Sequence, residues 1–157
     1  MGIRYYAYPI TADEYPLALE NPCAFHGSDP LMDAWGPEDM KPEMLYLDKC
    51  WKELQTLLAP VPRQPNRPAL QLVDGQVTHT ETGWIAYERA LGPAQVAAIA
   101  ADLKTVSELD IRRMLPRFRS PHADNEEYEY VAQYLADAQR FTTDLADSGR
   151  GLVYIIG

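Results

Sequence analysis

Cys23, His26 and Asp29 stand three residues apart in a proline-rich stretch, and all three are side-chain types that bind zinc. A closed zinc site takes four ligands, usually completed by a second Cys or His motif further along. None follows, so the spacing predicts no metal site, and nothing in the chain calls for a cofactor. A cysteine nucleophile needs neighbours that stabilise its thiolate. Cys50 falls on an apolar stripe, where a thiol is an inert small hydrophobe; Cys23, in a loop, is the better placed of the two. Asp48 sits at the edge of that stripe, between Met44 and Trp51. A carboxylate there must find a partner or face a cleft. A backbone donor, Arg4 or Arg89 would make it structural, and a ligand would make it functional. His79, Trp84, Tyr87 and Arg89 fall close together, and aromatics with one arginine suit an anionic or planar ligand, although strands are rich in aromatics anyway. With Asp48 and Trp35 these four make the candidate ligand pocket. It is expected between residues 22–43, the helix carrying Asp48 and the sheet near Trp84. His122, Asp124, Glu126 and Glu127 crowd one helix start, where acids complement the helix dipole. No glycine-rich phosphate loop, G-x-S-x-G or H-E-x-x-H occurs, so no catalytic residue is assigned.

The elements that must position these residues follow from periodicity. Ile3–Tyr8 reads as a strand bounded by Pro9. Thr11 and Glu14 have capping-box spacing before a short helix to about Glu20. Residues 22–43 hold Pro22, Pro30, Pro37 and Pro42 and look irregular, with a helical turn near Pro30–Trp35. Their Phe25, Leu31, Met32 and Trp35 are expected to pack. Met44, Leu47, Trp51, Leu54 and Leu58 step by three and four, which predicts one helix from Met44 to Leu58 with Lys49, Lys52 and Glu53 on its outer side. Residues 60–68 form a stiff connector. Leu70–Thr80 reads as a hairpin turning at Asp74-Gly75, with a further strand over Gly83–Tyr87. Gly92-Pro93 opens a helix with Val96, Ile99, Ala100 and Leu103 inward. Ser107–Asp110 caps a short helix, a basic loop lies between Pro116 and Pro121, and a long helix spans Asn125–Asp147. Leu152–Ile156 is apolar throughout, as befits a strand covered on both faces.

This order of elements predicts one α+β domain over residues 1–157, with a small mixed or antiparallel sheet and helices mainly on one face. A chain of this length can bury about 68–70% of its unfolded surface. No apolar run approaches the ~18 residues of a membrane span, and the start lacks a secretory signal, so a cytoplasmic location is expected. The 23 acidic residues against 14 basic ones give a net charge of -9. That field repels nucleic-acid phosphates and anionic membranes and suits a basic partner protein.

Met1–Tyr6, Leu45-Tyr46-Leu47-Asp48-Lys49-Cys50-Trp51, the Arg89-Ala90-Leu91-Gly92-Pro93 junction and the closing Val153-Tyr154-Ile155-Ile156-Gly157, in this order, resemble the YfbM-like family. These are small bacterial proteins of unknown function with an α+β fold. The resemblance implies the architecture already expected and carries over no activity or catalytic residue. The leading functional expectation is a non-enzymatic interaction or regulatory protein, an acidic partner of another protein as immunity proteins are. The alternative is a small-molecule binder or enzyme using the candidate pocket. Oligomeric state is not legible.

Overall fold

The computed structural model describes residues 2–118 and 125–157. Six strands are present among them: β1 (Tyr5–Ile10), β2 (Leu45–Asp48), β3 (Thr78–His79), β4 (Trp84–Ile85), β5 (Tyr87–Leu91) and β6 (Gly151–Ile156). Four of them make an antiparallel sheet of order β2-β1-β6-β5, and β3 with β4 makes a separate small hairpin. The terminal strands pair along their full length, from Tyr5 opposite Ile156 to Ile10 opposite Gly151. β6 is therefore central, as its uniformly apolar sequence requires.

Side-chain alternation sets the layers. Tyr5, Ala7, Leu45, Leu47, Leu91, Leu152, Tyr154 and Ile156 face the main core. Onto that side pack α3 (Trp51–Leu57), α4 (Pro93–Leu103), α5 (Glu108–Met114) and α6 (Asn125–Asp147). α4 turns in Val96, Ile99, Ala100 and Leu103, the face its spacing predicts. α6 buries Val131, Leu135, Ala138 and Leu145 at helical spacing, and each large apolar side chain so buried stabilises the fold by about 1.5–3 kcal/mol. Gly149, at φ 65°, ends α6 in a left-handed turn. The other sheet face shows Tyr6, Tyr8, Ile10, Ala90 and Val153, and is covered by Ala18 and Ala34 with Phe25 and Leu31. Ala18 belongs to α1 (Tyr15–Glu20) and Ala34 to α2 (Pro30–Trp35). The fold is thus α+β with the larger helical layer on one side.

Two expectations fail. The helix from Met44 to Leu58 is a strand followed by a shorter helix. Leu45 and Leu47 are buried while Tyr46 and Asp48 are half-buried, a period of two rather than 3.6. Asp48 then takes φ 48°, a left-handed conformation that short polar side chains tolerate, and α3 begins only at Trp51. The hairpin turning at Asp74-Gly75 also does not form. Pro68–Leu72 is a 3-10 helix, and the carbonyls of residues 72–75 accept from side chains instead of a strand. Tyr5 donates to Leu72 O (2.9 Å), Tyr154 to Asp74 O (2.9 Å), and Gln55 to Val73 O (2.6 Å) and Gly75 O (2.8 Å). A Cβ at Gly75 would lie 2.3 Å from the Tyr87 ring, so that glycine admits the ring rather than making a turn. The observed hairpin sits later, with Thr78 opposite Ile85 and His79 opposite Trp84. Consequently Trp84 and Tyr87 belong to different sheets, not to one strand. The connector at 60–68 is tied down at its end, where Arg67 grips Asp102 of α4 through two bonds of 2.9 Å.

Of the basic loop between Pro116 and Pro121, Arg119 and Pro121 lie outside the described residues, as do His122 and Asp124 of the acidic helix start.

The side-chain capping of residues 72–75 predicts that Tyr5→Phe, which leaves the Leu72 carbonyl buried without its donor, costs about 1–3 kcal/mol. Thermal unfolding should show a drop of about 2–12 °C; an unchanged midpoint would refute this role for the hydroxyl.

Candidate functional site

Asp48 joins three elements. Its Oδ1 accepts from Arg4 Nε and from the Tyr46 hydroxyl, each at 3.0 Å, and its Oδ2 accepts from the Tyr130 hydroxyl at 2.9 Å. Arg4 precedes β1, Tyr46 lies in β2 and Tyr130 in α6, so one carboxylate ties the edge strand to the long helix. Burial pushes the Asp48 pKa up, but the bonds from Tyr130, Tyr46, the Lys49 amide and Arg4 outweigh it, and the net value lies below the ordinary one. Burial first, then the Asp48 contact, pushes Tyr46 up to about 12, against the opposing effect of Trp35. Tyr130 is raised for the same two reasons. Tyr130 and Tyr134 meet edge to face at 5.1 Å, and Tyr46 packs against both Tyr6 and Tyr134. Asp48 therefore stays ionised and its tyrosines stay protonated across the physiological range.

The same network borders Trp35. Its indole lies near enough to the Tyr46 hydroxyl to oppose the rise of that group's pKa, and the Arg4 guanidinium lies 5.5 Å from its ring centre. The residue nevertheless remains 63% exposed. In α2, Leu31 and Ala34 turn inward while Met32 and Trp35, one turn apart, turn out; both were expected to pack. Asp29 caps this helix by accepting from Met32 N at 3.2 Å. Asp33 pins it to β1 by accepting from the Tyr8 hydroxyl at 2.7 Å. Leu17 and Leu19 of α1 and Met40 are exposed as well. Residues 11–43 thus contain five of the nine large apolar side chains exposed among the described residues. The segment also carries eight acids against one base, Lys41, which is net -7 of the chain's -9. The layer over the smaller sheet face is both acidic and apolar on its outer side.

The six pocket residues read from the sequence separate into three groups. Asp48 and Trp35 meet through Arg4 and Tyr46. His79 and Trp84 face each other across the small hairpin and share a hollow of about 430 Å³ with Gly2, Ile3, Lys49 and Lys52. Tyr87 packs on Tyr154 with ring centres 6.0 Å apart, and Arg89 reaches Gln71 at 3.5 Å, so these two serve the sheet. Cys23, His26 and Asp29 do not converge: Cys23 bonds Asn21, His26 lies 2.7 Å from Glu88 and Asp29 caps α2. No group of three metal-binding side chains occurs among the described residues. Cys50 is fully buried, and burial followed by nearby Glu53, Glu127 and Asp48 pushes its thiol far above the ordinary value, which makes it unreactive.

Four participants are not legible in the sequence. Tyr130 lies 82 residues from Asp48, and no local spacing connects them. Lys49 and Lys52 are exposed, as expected, but the left-handed turn at Asp48 brings them beside the hairpin. Glu53 is half-buried rather than outward, and its pKa is raised by burial, with Glu127 adding to it.

Among solved structures, the chain is similar to YfbM of Escherichia coli, a crystal structure of a protein of unknown function. They share 16% identity and a TM-score of 0.61 over 99% of this chain and 100% of that one. The chain has a YfbM-like fold. No protein-family model matches it, and no curated protein does. At this identity the likeness to YfbM speaks for the fold alone. No helix among the described residues is long and apolar enough to cross a membrane.

The Asp48 network predicts that Asp48→Ala costs about 2–3 kcal/mol through loss of charge-assisted hydrogen bonds. Because the folded pKa lies below the unfolded one, Asp48 stabilises fully above the ordinary aspartate range, and this is lost as pH falls through the lower folded value. Unfolding measured at falling pH should show the stability gap between wild type and the variant closing in acid; a constant gap would contradict the assignment.

Proposed function

We propose that this protein works by binding another protein, and that the outer side of residues 11–43 is its docking face. The observation that carries this reading is Trp35, a tryptophan that is mostly exposed yet flanked by the Arg4 guanidinium and the Tyr46 hydroxyl. Exposed aromatic side chains held in one conformation are the usual anchors of interfaces, because little conformational freedom is left to lose on binding. Met32 beside it extends the apolar contact. Contiguous apolar surface of this kind is uncommon on a protein that works alone.

The partner's chemistry follows from the charge. A segment with net -7 attracts a basic surface and repels acidic ones, and it speeds encounter at low salt. The partner is a protein presenting an apolar pocket ringed by Lys and Arg. An immunity-like or regulatory role is one instance of that mode.

Affinity capture from lysate of the source cells tests it with two baits, wild type and Met32→Ser/Trp35→Ser. Wild type should retain a stoichiometric basic protein that elutes at raised salt, and the double variant should retain at least tenfold less of it. Failure to retain any stoichiometric partner, or equal retention by both baits, would overturn the reading.

A further inference from the structure

A second surface, independent of the docking face, has the opposite character. Asp48, at φ 48°, ends β2 and turns the chain so that Lys49 lies along Gly2. A Cβ on Gly2 would stand 2.5 Å from Lys49 Cε and 3.0 Å from its Nζ, so the close approach exists because residue 2 has no side chain. Lys52 follows three positions later, across the turn that its amide closes onto Lys49 O at 3.4 Å, and both lysines border the same hollow. Its ammonium lies 5.5 Å from the Trp51 ring centre. Opposite them, His79 and Trp84 are cross-strand partners in the β3–β4 hairpin, and directly opposed residues project to the same side. Trp84 is 43% exposed. These four side chains, with Gly2 and Ile3, line the open hollow of about 430 Å³, and no acidic residue among the described residues lines it.

On a chain with net charge -9, a hollow lined by two lysines, a histidine and a tryptophan and by no carboxylate selects anions. Its size falls within the ~300–1,000 Å³ of small-molecule sites. An ammonium is a compact point charge suited to phosphate or carboxylate, and an exposed indole offers a face for a planar ring. We infer that this hollow binds a small planar organic anion, with its ring against Trp84 and its phosphate or carboxylate between Lys49 and Lys52. His79, across the hairpin from Trp84, supplies a further hydrogen-bonding group. This inference goes beyond the protein-docking reading and does not depend on it, because Trp35 and Met32 take no part in the hollow.

The test is a ¹H–¹⁵N titration of the full chain that follows its three indole signals, with Trp84 assigned by Trp84→Phe. The probes are AMP for a phosphate and 4-hydroxybenzoate for a carboxylate. Adenosine serves as the uncharged ring and inorganic phosphate as the ringless anion. AMP, 4-hydroxybenzoate or both should shift the Trp84 signal saturably and leave that of Trp35, which lies outside the hollow, in place, and the one that binds identifies the anionic group. Lys49→Gln/Lys52→Gln should weaken this binding at least tenfold while thermal unfolding confirms an intact fold. The inference is overturned if neither anion shifts Trp84 saturably. It is equally overturned if adenosine or inorganic phosphate alone binds as well as the planar anions, or if the lysine variant binds as tightly as wild type.

Discussion

A partly buried carboxylate cannot be left without donors, and Asp48 meets that demand by drawing one from its own strand and two from distant stretches of chain. Arg4 comes from the approach to β1, Tyr46 from β2 itself and Tyr130 from α6. Edge strands are weakly held, because only one side of the ladder is bonded. Here the outer strand is fixed to the helical layer by side-chain bonds to one residue. The same residue ends that strand with a left-handed turn, which swings Lys49 and Lys52 to one side and starts α3. Two surfaces of opposite character therefore hang on a single position. Arg4 and Tyr46 reach from it to Trp35 on the acidic layer, and Lys49 reaches from it into the basic hollow.

Charge is distributed accordingly. Most of the net negative charge belongs to α1, α2 and the short 3-10 turns around them, which cover the smaller sheet face. The main core beneath the other face is built by α3 to α6 without help from those acids. The acidic layer rests on few apolar contacts, Ala18, Ala34, Phe25 and Leu31 among them, and on the paired groups Tyr8–Asp33 and His26–Glu88. A layer held this way can carry exposed apolar side chains without disturbing the core, and this is the arrangement expected where a surface serves recognition rather than stability.

How far the sequence speaks depends on whether a signal is local. The faces of α4 and α6 were legible because Val96, Ile99 and Leu103, or Val131, Leu135 and Ala138, repeat with one period over several turns. β6 was legible because five apolar residues stand together between glycines. β2 was not, because Leu45 and Leu47 can be counted into the helical steps of Met44, Trp51 and Leu54, and only pairing with β1 decides between the two periods. The turn at Asp74-Gly75 misled because carbonyls 72–75 are satisfied by Tyr5, Gln55 and Tyr154, donors that no window around residue 74 contains. At the site, Asp48 and Trp35 stood out as residues needing explanation, and Arg4 was one of two arginines on offer. Tyr130 entered only through the tertiary packing of α6, and the basic hollow only through the turn that Asp48 makes.

The claim that organises the structure is that Asp48 is an ionised hub held by Arg4, Tyr46 and Tyr130. The most direct measurement is an NMR titration of its side-chain carboxyl carbon in the folded protein. The account predicts a midpoint below that of an ordinary aspartate, moving upward when Tyr130→Phe removes one donor. A midpoint at or above the ordinary value, or one indifferent to Tyr130, would contradict it.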